Sequence, residues 1–310
     1  MMGKEWSWES LPDLSGKLAV VTGANSGLGY ETTRMLAARG ARVVMACRSV
    51  DRAEEAQTKI KADLPYARLE MIPLDLTDLG SVRKFATKFN AVHERLDILV
   101  NNAGIMAVPY QKTKDGFELQ FGTNHLGHFA LTGLIIDKLL ATPGGRVIQV
   151  SSNAHKFGKM NFQNLQWESG YQKWPAYGQS KLANLLFMFE LSRRFKAGKH
   201  NAMSVAAHPG YADTNLQMLG PKLENSKVAE AVMKFSNKYF AQTADMGALP
   251  TVYAAGMPDV TCGEYFGPAG PLEMKGPPTR AEATRRARNL DDARRLWEVS
   301  EELTGVRWSP

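Results

Sequence analysis

Cysteine is scarce: Cys47 and Cys262 are the only two in 310 residues. Two cysteines cannot build a disulfide framework, and a reducing compartment is the expectation. Long apolar runs are missing as well. The longest uncharged apolar stretches fall short of the roughly 20 residues that a spanning helix needs. Residues 1–14 carry Lys4 and Trp6 but no apolar h-region, so they do not read as a secretory signal. These absences predict a cytoplasmic protein with no integral membrane segment. Repeats and low-complexity tracts are absent too.

Blocks of one charge sign are also lacking. The net charge is +7, and many of the arginines gather near the C-terminus at Arg280, Arg285, Arg286, Arg288, Arg294 and Arg295. Glu282, Asp291, Asp292, Glu298, Glu301 and Glu302 are interleaved with them. Mixed signs describe a solvated helical face, so no nucleic-acid partner is expected. His125 and His128 share a helix face and His155 follows, which imitates metal-ligand spacing. No cysteine or acid completes the set, and no metal is expected.

What is present is a globular α/β pattern. Hydrophobic residues make up 44% and charged residues 22%, enough for a sizeable core. Strand-like runs at 17–22, 41–47, 68–73, 96–100, 146–150, 202–207 and 263–267 alternate with helical spacing at 27–39, 51–62, 77–92, 116–140, 177–195, 222–240 and 245–255. A helix over 291–304 follows a Pro- and Gly-rich loop. Asp51 is the expected cap of the second helix, and Thr77 or Asp78 that of the third. Repeated strand–helix–strand units predict a single-domain Rossmann fold. Its doubly wound parallel sheet has about seven strands, with helices on both faces and a C-terminal extension.

The loop Thr22-Gly23-Ala24-Asn25-Ser26-Gly27-Leu28-Gly29 follows the first strand and opens a helix. Glycines permit tight turning and close approach of backbone N–H groups to phosphates. The helix N-terminus adds orphan donors and positive dipole charge. Gly23, Asn25, Ser26, Gly27, Leu28 and Gly29 are therefore candidate pyrophosphate contacts of a dinucleotide. An NAD site usually carries an acid about 20 residues further on. Here the second strand ends Ala46-Cys47-Arg48-Ser49, without one. Arg48 can hold a 2′-phosphate through its guanidinium, with Ser49 adding a hydroxyl, so NADP is expected over NAD.

The chain resembles the short-chain dehydrogenase/reductase superfamily. The resemblance is carried, in order, by Thr22–Gly29 (TGxxxGxG), Asp75, Asn101-Asn102-Ala103-Gly104, Asn124, Ser151-Ser152, Tyr177-x-x-x-Lys181, and Pro209-Gly210 with Thr214. A finer similarity, to retinol-dehydrogenase-like and actinobacterial oxidoreductases, rests on residues 46–49, 123–129, 150–155 and 293–298. It does not establish retinol as the substrate. The resemblance implies that Asp75 and Leu76 meet the adenine and that Asn102, Ala103 and Gly104 lie along its ribose. It also implies that residues 1–16 are an arm, 215–241 a substrate lid and 268–310 a C-terminal extension. Family members often pair through the helices bearing Asn124 and Tyr177, so a homo-oligomer is an expectation of the same kind. Asp75 reads equally as a helix cap, and Asn101–Gly104 as a turn locking the fourth strand.

Carbonyl reduction needs a hydride and a proton; alcohol oxidation needs a base. A phenol titrates near 10 unperturbed, and a nearby cation lowers that value. Lys181 stands one helical turn after Tyr177, on the same face, and is expected to lower its pKa and hold the nicotinamide ribose. Ser152 is expected to stabilise the substrate oxygen, with Ser151 the alternative if the strand register differs by one. The resemblance assigns Asn124 to a proton relay through a held water; a buried amide bonding to backbone is the plain reading. Pro209-Gly210 can press against the nicotinamide, and Thr214 can bond its carboxamide. A long insertion between Ser152 and Tyr177 holds Phe157, Met160, Phe162, Leu165, Trp167, Tyr171 and Trp174. It suits a wall for an apolar alcohol, aldehyde or ketone, although such residues also anchor insertions. The expected function is an NADP-dependent oxidoreductase interconverting an alcohol and a carbonyl on an apolar small molecule. A non-catalytic NADP-binding sensor or scaffold is the main alternative. Sugar epimerases are disfavoured by the glycine spacing, and nothing supports the tetrapyrrole site of a light-dependent reductase.

Replacing Arg48 by Asp should weaken NADP binding and favour NAD. Titrations of both cofactors check this, and an unchanged affinity ratio counts against the assignment of Arg48.

Overall fold

Every residue of β1 (Leu18–Thr22) is buried, because helices cover both faces of the parallel sheet it belongs to. The computed structural model describes residues 6–212 and 242–310. The expected lid (215–241), the helix read over 222–240 and Thr214 lie outside the described residues. β1 is joined by β2 (Arg42–Cys47), β3 (Arg68–Pro73), β4 (Ile98–Asn101), β5 (Gly145–Val150), β6 (Ala202–Ala207), β7 (Tyr265–Pro268) and β8 (Pro278–Arg280). Their order is β3-β2-β1-β4-β5-β6-β7-β8. The first seven are parallel. β8, read from the sequence as part of a Pro- and Gly-rich loop, pairs antiparallel with β7. A proline is tolerated at the start of such an edge strand. The order reverses between β1 and β4, which opens a crevice at the carboxyl ends of the strands.

The helices are α1 (Gly27–Ala38), α2 (Val50–Asp63), α3 (Leu79–Val92), α4 (residues 119–140), α5 (Lys173–Ala197), α6 (Ala244–Gly256) and α7 (Leu290–Thr304). Ser49, not Asp51, caps α2, accepting from the Arg52 N–H; Asp51 falls in the first turn, where its charge suits the helix dipole. Asp78 caps α3 through the N–H groups of Gly80 and Ser81. The helix expected from residue 116 starts later, because Gly116 turns with φ +90° and the Glu118 carboxylate caps residues 120 and 121. Inside α4, residues Gly122–Leu126 are wound as a π-helix. α5 starts at Lys173, a turn before the expected Tyr177; Pro175 is tolerated there because first-turn N–H groups have no intrahelical partner.

Two apolar layers sandwich the sheet. Val43, Met45 and Ile148 belong to one. Val44, Leu99, Phe129 and Phe187 belong to the other. The C-terminal extension enters the second layer: α7 packs on α5 and α4, and Trp297 and Trp308 meet at 4.5 Å between ring centroids. Gly133 lies under Trp308, where a Cβ would stand 2.5 Å from the indole. This surface of α4 and α5 is thus covered from within the chain. Among the described residues, no helix is long and apolar enough to cross a membrane.

Trp308 is buried two residues from the chain end. Trp308→Ala should cost about 3 kcal/mol, the usual penalty for truncating a buried aromatic. Urea unfolding measures it, and a loss under about 0.5 kcal/mol, typical of exposed positions, would show that the tail adds little.

Candidate active site

The end of β1 is tied to β4 and α4 by one hydroxyl. Thr22 Oγ1 accepts the N–H groups of Asn102 and Ala103, each at 2.9 Å, and lies 2.9 Å from His128 Nε2. His128 Nδ1 is 3.0 Å from the Asn124 carbonyl. A carbonyl only accepts, so Nδ1 carries the proton and Nε2 accepts from Thr22. The Asn102 amide returns to the Thr22 carbonyl at 2.7 Å. Gly23 and Gly27 turn the loop at φ +66° and +52°. At Gly29 a Cβ would stand 2.2 Å from the Gly23 carbonyl oxygen. Only glycine lets α1 close on the loop there.

A cavity of about 300 Å³ opens over this junction. It is lined by Gly23, Asn25, Ser26, Gly27, Leu28 and Gly29, by Arg48 and Ser49, by Asp75 and Leu76, and by Asn102, Ala103 and Gly104. Tyr177, Lys181, Pro209 and Gly210 are not among its lining residues. Arg52 and Thr123, which sequence reasoning passed over, are. Arg52 could have been found as the residue one helical turn beyond Arg48. Neither arginine is ion-paired among the described residues. The Thr123 hydroxyl is buried without a hydrogen-bond partner among them. An open glycine cradle, unpaired guanidinium groups and an orphaned hydroxyl are what a phosphorylated dinucleotide would use. Asp75 is not a helix cap: its Oδ1 accepts from the N–H and hydroxyl of Thr77, at 3.0 and 2.7 Å.

The π-wound segment turns Asn124 toward the fourth strand's exit. Its Oδ1 accepts the Ile105 N–H at 2.8 Å; its Nδ2 donates to the Ile105 carbonyl and to Ser180 Oγ, both at 2.9 Å. Both donor hydrogens and one acceptor lone pair are therefore used within the protein, as the plain reading held. A Cβ on Gly104 would lie 3.1 Å from Asn124 Oδ1 and 3.4 Å from Lys181 Nζ, so a side chain there would crowd both groups.

The two serines after β5 diverge. Ser151 Oγ donates to the Lys181 carbonyl at 2.9 Å and is buried. Ser152 caps the turn Asn153–Lys156, and its hydroxyl is the neighbour that pulls the Tyr177 phenol toward a lower pKa. Lys181 Nζ lies 5.8 Å from the centre of the Tyr177 ring and donates to the Val150 carbonyl at 3.2 Å. One expectation is corrected here. Burial pushes the Tyr177 phenol up to about 12, with the Ser152 hydrogen bond pulling the other way, and burial drives Lys181 down to about 8. Desolvation outweighs the cation, because both groups have left water together.

Pro209 and Gly210 follow β6. The Pro209 carbonyl accepts Gln242 Nε2 at 2.6 Å. Gly210 has φ +65°, and a Cβ there would stand 2.3 Å from the Met274 carbonyl oxygen. Most of the aromatic insertion is anchor. Leu165, Met160 and Phe162 join a core cluster, Tyr171 donates to the Val108 carbonyl at 2.7 Å, and Trp167 meets Tyr171 edge-on. Phe157 and Trp174 stay exposed, at 52% and 43%. Trp174 lies edge-on to Tyr177 at 6.3 Å, and Phe157 lies against Gly178. The histidines scatter: His125 meets Ser300 at 2.8 Å and His155 the Ser152 carbonyl at 2.7 Å.

A profile of the short chain dehydrogenase family matches residues 17–222. Retinol dehydrogenase 12 of Mus musculus is 42% identical over 297 residues, 95% of this chain and 88% of its own length. Retinol dehydrogenase 11 of Homo sapiens is 40% identical over 300 residues, 96% and 88%. A crystal structure from Mycobacterium paratuberculosis has a TM-score of 0.81 at 42% identity, covering 99% of this chain and 100% of its own. Another, described as an NAD(P)-dependent gluconate 5-dehydrogenase from Beutenbergia cavernae with NADP bound at low occupancy, has a TM-score of 0.61 at 26% identity, covering 79% and 91%.

Thr22→Val keeps the shape of the side chain and removes the hydroxyl that two buried N–H groups share. A stability loss of about 2 kcal/mol is expected, with weaker NADPH binding. Urea unfolding and fluorescence titration check both, and wild-type values in each would dismiss Thr22 as the junction.

Proposed function

The chain belongs to the short-chain dehydrogenase family, on its retinol-dehydrogenase-like branch, and on that premise we propose that it is an NADP-dependent oxidoreductase of lipophilic alcohols and carbonyls. The observation that carries the reading is the grouping of Ser152, Tyr177 and Lys181 beside a glycine-cradled cavity that holds Arg48 and Arg52. NADP over NAD is supported by those two guanidinium groups, by the missing acid after β2, and by the relative with bound NADP. The cofactor supplies or accepts the hydride when bound.

The protein's own groups handle the proton. Ser152 Oγ holds the substrate oxygen and stabilises charge as it develops. Tyr177, kept protonated at neutral pH by burial, donates its phenolic proton to that oxygen, which favours reduction. Lys181 holds the nicotinamide ribose, and its ammonium faces Asn124 Oδ1 across Gly104. A water held by Asn124 and Lys181 would return the proton. Asp75 and Leu76 line the adenine end, and Asn102 to Gly104 the ribose. Pro209, Gly210 and Thr214 are assigned to the nicotinamide. Exposed Phe157 and Trp174 offer apolar surface at the mouth, and the retinol dehydrogenases among the relatives point to the same class of substrate. The reducing composition, with both cysteines free, supports a cytoplasmic setting.

NADPH oxidation should be followed over aldehydes and ketones of graded size, with NADH in parallel. The larger apolar carbonyls should turn over fastest, with NADPH. Tyr177→Phe should retain NADPH binding and lose turnover by about a hundredfold or more. Retained turnover in that variant would remove Tyr177 from its role, and binding without turnover of any carbonyl would favour the sensor.

A further inference from the structure

We propose that Glu273 is a positioning residue for Ser152, acting through the hairpin between β7 and β8 that clamps the catalytic serine's turn. The proposal deepens the dehydrogenase reading above and rests on it for its kinetic part.

The turn that begins at Ser152 lies beyond the sheet. The last ladder bond near it runs from the Ser151 N–H to the Ala207 carbonyl at 2.8 Å. Within the turn, Ser152 Oγ accepts the Ala154 N–H at 3.2 Å, and its carbonyl accepts the N–H of His155 at 3.0 Å. These bonds shape the turn but do not anchor it to the rest of the protein.

Besides its packing on α5 and, through His155, on Tyr265, the turn is held by residues 269–277. Asn153 Nδ2 donates to the carbonyls of Leu272 and Glu273, each at 3.3 Å. Lys156 Nζ donates to Glu273 Oε2 at 3.0 Å. The same carboxylate oxygen lies 3.2 Å from His208 Nε2, out of line for a good hydrogen bond. His208 Nδ1 accepts the Gly210 N–H at 3.2 Å, so its proton is on Nε2, toward Glu273. His208 is followed by Pro209-Gly210, and the next residue, Tyr211, donates its N–H to the Met274 carbonyl at 2.9 Å. One carboxylate thus touches both walls of the nicotinamide end: the serine turn on one side and the Pro-Gly turn on the other.

The backbone supports this reading. Leu272 and Glu273 are adjacent non-glycine residues in the left-handed region, at φ +55° and +54°. Such strain persists where the surroundings over-determine it, and it gathers at functional sites. Here it aims the Glu273 carboxylate inward while the Leu272 side chain stays 81% exposed, so the conformation is not held by burial of Leu272. His208 and Lys156 hold the Glu273 carboxyl below its ordinary value. It is therefore ionised at any pH at which the protein would be assayed.

The test uses the full chain with Glu273→Gln, Lys156→Met and the double variant. Loosening the turn should lower kcat by about tenfold, since small misplacements of a reacting group are costly, while NADPH affinity falls by much less because the adenosine and phosphate end of the cavity is built from other elements. The two substitutions remove one contact from opposite sides, so the double variant should be no worse than the poorer single one. Amide exchange in peptides covering 152–160 and 208–212 should speed up in each variant. A lowered melting temperature with unchanged kcat would leave Glu273 a merely structural residue and overturn the proposal. So would a parallel fall in kcat and NADPH affinity, or unchanged exchange in both peptides. If the wild-type chain turns over no carbonyl, the dehydrogenase reading fails, and the exchange measurement still decides whether the hairpin clamps the turn. Should Glu273→Gln fail to fold, Lys156→Met alone carries the same readouts.

Discussion

The Thr22 hydroxyl is the junction on which the site depends. It receives two N–H groups from the turn after β4 and gives its proton to His128. His128 in turn holds the Asn124 carbonyl. Burial pushes His128 down to about 4, which keeps the ring neutral and able both to accept and to donate. Buried polar groups that lack partners are costly, so this chain of bonds has little freedom to rearrange. It sets the glycine loop, the Asn102–Gly104 turn and the π-wound part of α4 in one geometry. Cofactor cradle and proton-handling groups are thereby held by the same few atoms.

A regular α-helix through residues 122–126 would space these groups differently. The π segment adds a residue to the turn, a device often found at functional sites. It gives Asn124 reach to both Ile105 and Ser180, and Ser180 Oγ donates to the Tyr177 carbonyl at 2.8 Å. The helix bearing Tyr177 and Lys181 is thus referenced to the cofactor turn through a single amide. Gly104 lets the turn after β4 come close to both Asn124 and Lys181. The raised Tyr177 and lowered Lys181 follow from the same enclosure: a dry site strengthens polar contacts and penalises every isolated charge.

The C-terminal residues do two jobs that the core sheet does not. Trp297 and Trp308 extend the apolar layer over α4 and α5, stiffening the helices that carry Asn124, Tyr177 and Lys181. The hairpin before β8 reaches the opposite end of the site and meets the turns after β5 and β6. The aromatic insertion divides likewise. Its inward residues fasten it down, and Phe157 and Trp174 are left facing out near Tyr177.

Much was legible in the sequence because it depends on local chemistry. Strand and helix alternation, the glycine loop, the absent acid after β2 and the helical spacing of Tyr177 and Lys181 are written in neighbouring residues, whose periodicity and backbone freedom act over one or two turns. The cavity lining that the motifs implied was legible for the same reason. Tertiary structure alone decided the rest. β8 exists because β7 offers an edge to pair with. α2 is capped at Ser49, two residues before the expected Asp51, and Arg52 in its first turn lines the cavity. Ser151 turns to the Lys181 carbonyl and Ser152 to the start of the following turn. His128 reaches Thr22 and Glu273 reaches Lys156 across more than a hundred residues of chain, contacts that only the fold brings together. The direction in which Tyr177 titrates was misread for the same physical reason: its spacing from Lys181 is local, but desolvation is a property of everything packed around it.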